Sequence, residues 1–189
     1  YLQYAATFIG SKKPVIFDLG HLAVLLGRTE QYIASVINST TRHYRSFFIP
    51  KRRGGQRLIT APYPALLECQ QWISSHLLAE VPIHPAAHGF VRDRSILSNA
   101  RSHVGQREML KVDIKDFFPS ISINRVIGVF QFLGYPPNVA FHLARLCCLD
   151  ERLPQGAATS PSLSNIIFFK ADVRLSRLAE AFKLTYTRY

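Results

Sequence analysis

The stretch Lys111-Val112-Asp113-Ile114-Lys115-Asp116-Phe117-Phe118-Pro119-Ser120 decides how the rest of the sequence is interpreted. Apolar and β-branched residues lead into two carboxylates three positions apart, and two aromatic residues and a proline follow. The lead-in predicts a strand that Pro119 ends. A carboxylate at the end of a strand can project into a cleft, and its oxygens suit Mg²⁺ in phosphoryl transfer. A strand terminus with solvated charges would carry the same D-x-x-D pattern, so the rest of the chain must decide.

The composition indicates an anionic partner. The 189 residues are 48% hydrophobic, which is enough for a sizeable core, and 23 Lys and Arg against 12 acidic residues give a net charge of +11. Nucleic acid is the first candidate partner and an anionic membrane surface the second. No apolar run has the length of a membrane span. Of the two candidates, nucleic acid is the expected partner, and no membrane partner is expected. Three cysteines without a C-x-x-C pair predict reduced thiols in a cytoplasmic protein.

The first part of the chain predicts helices and then a hairpin. Residues 1–43 form a small helical region in which Asp18 and Thr29 cap two short helices. A helix-turn-helix has a similar pattern, but no basic recognition face accompanies it, which favours plain helix packing. Two strand-like runs, 44–50 and 57–61, flank a Gly-Gly turn and predict a β-hairpin with a cationic tip. Those cations either discourage edge aggregation or grip a triphosphate, and the hairpin alone leaves both readings open.

The later part of the chain mixes helices, loops and one further strand. Helices are predicted over 64–81, 123–133, 137–149 and 162–182, and another, capped by Asp93 or Ser95, runs to about residue 104. A loop of small residues spans 153–161, and residues 183–189 predict a strand. The histidines at 84, 88 and 103 lack the partner spacing of a zinc site. This mixture predicts an α+β architecture.

Taken together, these pieces resemble a reverse transcriptase of the bacterial retron type over residues 44–189. The matching blocks, in order, are Ile49-Pro50-Lys51 to Arg57-Leu58-Ile59, Ala87-His88-Gly89-Phe90 to Arg94-Ser95-Ile96, Asp113 to Ser120, Leu153-Pro154-Gln155-Gly156 to Ser160-Pro161, Leu163-Ser164-Asn165 and Tyr186 to Tyr189. Asn99-Ala100-Arg101-Ser102-His103 matches the N-A-x-x-H element associated with retron enzymes, with Asn99, Ala100 and His103 as its defining residues. Ala158 departs from the family, which often has proline there.

The resemblance implies a right-hand polymerase that joins nucleotides with two Mg²⁺ ions, for which Mn²⁺ could substitute. Asp113 would be the catalytic metal carboxylate and the Ile114 main-chain oxygen a second ligand. The remaining carboxylates belong to an Asp-Asp pair expected after Tyr189, so the sequence is interpreted as a fragment. Asp116 and Phe117 would lie near the incoming nucleotide, with Phe117 the more core-like ring. Phe118 would be the steric gate beneath the sugar.

Further site residues are implied in the same way. Lys51 and Arg57 would grip the triphosphate, with Arg57 the better fit because its fork suits phosphate geometry. Gln155 and Gly156 would border the nascent pair and the nucleotide. Contacts to primer and template would come from Arg52, Arg53, Arg94 and Tyr189.

The resemblance also implies the organisation and partners of the protein. The regions are 1–43, an N-terminal helical part; 44–107, the fingers; and 108–189, an incomplete palm with fingers-associated helices between its motifs. The partners are a structured non-coding RNA as template and primer, the RNA/DNA hybrid, dNTPs and an effector protein, in antiphage defence. The alternatives are an abortive-infection or intron-type reverse transcriptase, and a polymerase-like module that binds nucleic acid without synthesis.

Overall fold

The computed structural model describes residues 2–10, 13–50 and 54–189. Within them, helices are combined with one two-stranded antiparallel sheet, which is the predicted α+β mixture. The elements are α1 (Leu2–Ala6), α2 (Leu19–Leu25), α3 (Glu30–Asn38), a 3₁₀ turn (Thr40–His43), β1 (Tyr44–Pro50), β2 (Gln56–Pro62), α4 (Pro64–Ile73), a π-helical turn (Ser74–Leu78), α5 (Ile96–Arg101), α6 (Ile123–Phe132), α7 (Pro137–Cys147) and α8 (Ser160–Ala181). No described helix is both long and apolar enough to cross a bilayer.

The helix starts follow the predicted capping residues. The Asp18 carboxylate accepts the His21 N–H at 2.8 Å, and the Thr29 hydroxyl accepts the Tyr32 N–H at 3.2 Å. Ser95, rather than Asp93, caps α5. Its hydroxyl accepts the Ser98 N–H, while the Ser98 hydroxyl accepts the Ser95 N–H. These side chains satisfy N–H groups that have no partner inside the first turn of a helix.

The N-terminal helices share one hydrophobic core with the later helices. Two long-range hydrogen bonds join them to α7 and to the turn before it. The Tyr135 hydroxyl donates to the Pro14 carbonyl at 3.0 Å, and the Arg145 Nε donates to the Ile37 carbonyl at 2.8 Å. Side chains from α2, α3, α4, α6 and α7 fill this core, among them Leu22, Ile33, Leu66, Ile73, Val126, Phe130 and Leu143.

Two predicted strands are wrong. Residues 109–114 form no strand, and residues 183–189 contribute only one isolated bridge, between Ala87 and Arg188. A strand exists only when its backbone groups pair with a neighbouring ladder, and apolar β-branched composition cannot supply that neighbour. The apolar residues before Asp113 accordingly lie in solvent, and Leu110 is 89% exposed.

The predicted helices 64–81 and 162–182 are present with shifted ends. α4 ends at Ile73, and the chain continues as the π-helical turn to Leu78. α8 begins at Ser160, two residues before the predicted start, because Pro161 fits the first turn, where its missing N–H costs nothing. The predicted free thiols are confirmed: Cys69, Cys147 and Cys148 are unpaired and buried.

Candidate functional site

Asp113 lies on an exposed segment together with Ile114. Its carboxylate makes no hydrogen bond or ion pair with the part of the chain that the structure describes, and Ile114 is 44% exposed. An unpaired carboxylate next to a main-chain carbonyl offers oxygen donors of the kind that Mg²⁺ takes. Across residues 2–10, 13–50 and 54–189, no group of three or more His, Cys, Asp or Glu side chains could hold an ion. An ion at Asp113 therefore needs further ligands from elsewhere.

The turn after Asp113 is fixed by its own backbone and by aromatic packing. The Ser120 N–H donates to the Asp116 carbonyl at 2.9 Å, and Asp116 itself has a φ of +50°. The Phe117 ring meets Phe168 of α8 edge-on, with centroids 5.6 Å apart, which fits its predicted core character. Phe118 faces Phe90 instead, at 6.3 Å. The two adjacent rings thus anchor the turn to different supports.

The small-residue loop 153–161 packs against the hairpin. The Thr60 N–H of β2 donates to the Gln155 carbonyl at 2.9 Å. Gly156 has a φ of +131°, and a Cβ there would lie 2.7 Å from the Thr60 oxygen. Only glycine allows this approach, because any side chain would collide with the strand backbone. The structure therefore brings Gln155 and Gly156 against the strand that carries Arg57.

Arg57 itself lies on the exposed part of β2, where it pairs with Ile49 across the hairpin. The same face of the hairpin carries Arg45, whose guanidinium lies 5.9 Å from the centroid of the Phe47 ring. The predicted phosphate and template contacts Lys51, Arg52 and Arg53 lie outside the described residues.

Gln70 ties the loop to the core. This side chain is fully buried, and its Nε2 donates to the Tyr44 hydroxyl at 2.7 Å and to the Leu146 carbonyl at 2.9 Å. Its Oε1 accepts the Ala158 N–H at 3.1 Å. A proline at position 158 would have no N–H to donate. Ala158, where the sequence departs from the expected family pattern, thus supplies a bond that satisfies a buried amide.

A buried ion pair holds the chain just before Tyr189. The Arg188 guanidinium donates to both carboxylate oxygens of Asp172, at 3.1 and 2.8 Å, and to the Asn165 Oδ1 at 2.8 Å. The Tyr186 hydroxyl also donates to Asp172, at 2.8 Å. Burial, followed by this bond to a carboxylate, raises the pKa of Tyr186. Residues 186–188 are thereby fixed to α8.

The segment 86–90 supports Tyr189 from the other side. The Arg188 N–H donates to the Ala86 carbonyl and the His88 N–H to the Arg188 carbonyl, both at 2.7 Å. A Cβ on Gly89 would lie 2.9 Å from the Tyr189 carbonyl carbon, so this close packing requires glycine. Since Phe90 contacts Phe118, one short segment supports both the turn after Asp113 and the end of the chain.

Arg94 and the N-A-x-x-H residues have structural contacts here. One Arg94 nitrogen donates to the carbonyls of Pro85 and Ala87, so this predicted template contact also closes the 85–94 loop. Asn99 and Ala100 lie in α5, and the Asn99 Oδ1 is buried without a partner in the described chain. His103 follows α5, and its Nε2 lies 2.6 Å from the Thr187 hydroxyl oxygen.

Two supports of the site were missed from the sequence, Gln70 and Asp172. Gln70 could have been found, because it falls on the apolar face of α4 between Leu66 and Ile73, at the spacing of residues that point inward. A polar residue there needs buried partners. Asp172 gave no comparable signal, because one acidic residue in a helix with several charges is normally solvated.

Comparison with known proteins gives these contacts their context. Residues 49–189 match the sequence model of the reverse transcriptase (RNA-dependent DNA polymerase) family, and the chain belongs to that family. Among its relatives are reverse transcriptases of retrons, as the resemblance predicted. The retron Mx65 enzyme of Myxococcus xanthus is 41% identical over 186 residues, covering 89% of this chain and 44% of the relative.

Two further relatives are also retron reverse transcriptases. The retron Mx162 reverse transcriptase of Myxococcus xanthus is 42% identical over 168 residues, which are 79% of this chain and 35% of the relative. The retron Ec86 reverse transcriptase of Escherichia coli is 34% identical over 178 residues, 93% of this chain and 56% of the relative. The chain thus spans between about a third and somewhat over half of the length of these relatives.

Proposed function

We propose that this chain forms the fingers and the N-terminal part of the palm of a retron reverse transcriptase that copies a structured non-coding RNA into DNA. Residues 44–107 form the fingers, residues 108–189 the palm portion, and residues 1–43 the helical region that packs beneath them. The main support is the approach of Gly156 to the Thr60 oxygen. It joins the phosphate-gripping hairpin to the loop that borders the nucleotide.

Asp113 acts in this proposal as the catalytic metal carboxylate, with the Ile114 main-chain oxygen beside it. Two Mg²⁺ ions, or Mn²⁺ in their place, would supply charge neutralisation at the reacting phosphate. The exposed, unpaired carboxylate of Asp113 fits this task because it needs no partner to be displaced. Asp116 supports the site through the turn that its carbonyl closes with the Ser120 N–H.

The nucleotide is held between the hairpin and the turn. Arg57, with Lys51, grips the triphosphate, because a guanidinium can bond two phosphate oxygens at once. Gln155 and Gly156 border the nascent pair. Phe118, held against Phe90, forms the gate beneath the sugar, while Phe117 packs on α8. Tyr189 lies beside the primer terminus, and Arg52, Arg53 and Arg94 contact the template–primer.

The implied partners are a non-coding RNA that serves as template and primer, the RNA/DNA hybrid, dNTPs and an effector protein. A net charge of +11 fits a polyanionic partner and predicts binding that weakens steeply with salt. For the proposed role in antiphage defence, cells carrying the full system should resist phage, and Asp113→Asn should abolish that resistance. Equal plaque numbers with and without the intact system would contradict the role.

The decisive experiment is primer extension by the full-length protein with template RNA, primer, dNTPs and Mg²⁺. Asp113→Asn should abolish extension, because an amide is a poor ligand where a charged carboxylate is required. Asp150→Asn is the matched control, since Asp150 is an exposed aspartate in a turn, and it should extend normally. Full synthesis by Asp113→Asn would refute the site.

A second measurement separates the related classes. RNA recovered with the native protein should carry covalently linked DNA copied from it. Linked DNA that is absent although primer extension is active would favour an intron-type or abortive-infection enzyme. If the wild-type protein bound RNA but synthesised nothing, the chain would belong to a non-catalytic binding module.

A further inference from the structure

His103 makes a contact that spans the fold. Its Nε2 and the Thr187 hydroxyl oxygen are 2.6 Å apart, although 84 positions separate the two residues in sequence. Both side chains are partly buried. A neutral imidazole nitrogen can accept the hydroxyl proton, or its N–H can donate to the hydroxyl oxygen. In either form the bond fixes a residue two positions before Tyr189.

The His103 ring is itself held in place. His103 follows α5, whose start is stabilised by the reciprocal hydrogen bonds of Ser95 and Ser98. The main-chain N–H of His103 donates to the Ala100 carbonyl at 3.0 Å. The Ser98 hydroxyl also lies 2.9 Å from the His88 Nδ1. α5 is thus attached to the 86–90 segment, and this attachment fixes the position from which the His103 ring contacts Thr187.

The Thr187 contact is the third set of bonds that holds residues 186–188 in place. Tyr186 and Arg188 bond Asp172 of α8, and the Arg188 backbone pairs with Ala86 and His88. Thr187 lies between these two contacts, and within the described residues its side chain hydrogen-bonds only to His103. The N-A-x-x-H element therefore holds this segment through His103, which lies two residues after the end of α5.

We propose that His103 is a positioning residue for nucleotidyl transfer, which holds Thr187, and with it the main chain leading to Tyr189, rather than contacting RNA. The inference rests on the proposed polymerase function. A misplacement of about 1 Å near reacting groups can lower a rate about 100-fold, so a single bond to this segment can matter for turnover. It predicts that the N-A-x-x-H histidine affects the rate of synthesis and leaves RNA affinity unchanged.

The test uses the full-length protein with RNA template, primer, dNTPs and Mg²⁺, and measures single-nucleotide incorporation and RNA affinity separately. His103→Ala and Thr187→Val should each lower the incorporation rate about 10- to 100-fold, with RNA affinity and the thermal unfolding midpoint near wild type. Thr187→Ser, which keeps the hydroxyl, should restore most of the rate. Thr185→Val is the matched control, because Thr185 lies exposed in the same segment, and it should behave as wild type.

The double variant His103→Ala/Thr187→Val distinguishes the positioning role of His103 from a direct contact of His103 with RNA. If the residues act through one bond, the double variant should be no slower than the slower single variant. Multiplied effects, or RNA affinity lost in His103→Ala and kept in Thr187→Val, would overturn the inference in favour of an RNA contact. If His103→Ala fails to fold, the comparison of Thr187→Val with Thr187→Ser decides. A wild-type protein without synthesis would refute the proposed function instead.

Discussion

Phe118 and Phe117 are adjacent rings with different surroundings, which allows the proposed gate to be tested at the level of one residue. Phe118→Ala should increase incorporation of rNTPs relative to dNTPs, because the ring would no longer exclude a 2′-hydroxyl. Phe117→Ala is the matched control. It should cost stability, up to about 3–5 kcal/mol, without changing sugar selection, because Phe117 packs on Phe168. Unchanged rNTP incorporation by Phe118→Ala would exclude the gate.

Gly156 offers a second test at this scale. Gly156→Ala should destabilise the fold by about 1–3 kcal/mol and raise the KM for dNTPs. The added Cβ would lie 2.7 Å from the Thr60 oxygen, and the φ of +131° disfavours any side chain. Denaturant unfolding and steady-state kinetics measure the two effects.

Gly128→Ala is the control for Gly156→Ala. Gly128 lies within α6, and a Cβ there meets nothing within 4 Å. Alanine is the better helix former by about 0.5–1 kcal/mol, so this variant should be as stable as wild type or more so. Equal behaviour of the two variants would mean that the loop does not need its close approach to β2.

At the scale of elements, α8 holds the end of the chain through Asp172. Asp172→Asn should destabilise the protein by up to about 3–5 kcal/mol, because Asp172 is fully buried and the Arg188 side chain is only 15% exposed. Hydrogen exchange at the amides of His88 and Arg188 should speed up, since both bond across this junction.

A second aspartate provides the comparison for Asp172→Asn. The Arg92–Asp93 pair joins the same two residue types, but its side chains are 95% and 89% exposed. Asp93→Asn should change stability by less than about 1 kcal/mol, because exposed ion pairs contribute little. If both variants lost the same stability, burial would not be the reason why the Asp172 pair matters.

How well the elements could be predicted depended on where their partners lie in the chain. The hairpin and the helices were predictable because their hydrogen bonds are local, and Asp18, Thr29 and Ser95 cap helices within three residues of themselves. The two wrong strands needed partners distant in sequence. The motif residues were recognisable as a pattern, but the contact of His103 with Thr187 depends on the whole fold bringing them together.

For the whole molecule, the buried and partly buried titratable groups predict that the free energy of unfolding is largest at intermediate pH and falls on the acid and the alkaline side. Burial lowers the pKa of His43, His88 and His142, so below about pH 6.5 the unfolded chain takes up protons that the folded chain does not. Stability should therefore fall with falling pH. Burial raises the pKa of Cys69 and Cys148, and that of Cys147 to about 12. Above about pH 8.5, unfolded thiols ionise first and stability should fall again.

Thermal unfolding from about pH 5 to pH 10 measures both limbs. His142→Phe should flatten the acid limb, because His142 Nδ1 is buried without a partner in the described chain. An unfolding midpoint that rises as the pH falls from 7 to 5 would contradict the assignment of these histidines.

The shared core of the N-terminal helices has a practical consequence for dissecting the protein. Removing residues 1–43 would leave the Tyr135 hydroxyl and the Arg145 guanidinium without the Pro14 and Ile37 carbonyls. It would also uncover the apolar face of α7 that contacts α3. A fingers fragment cut at the start of the hairpin should therefore aggregate when expressed. A working minimal enzyme, or a graft of these motifs onto another polymerase, must therefore include α1, α2 and α3.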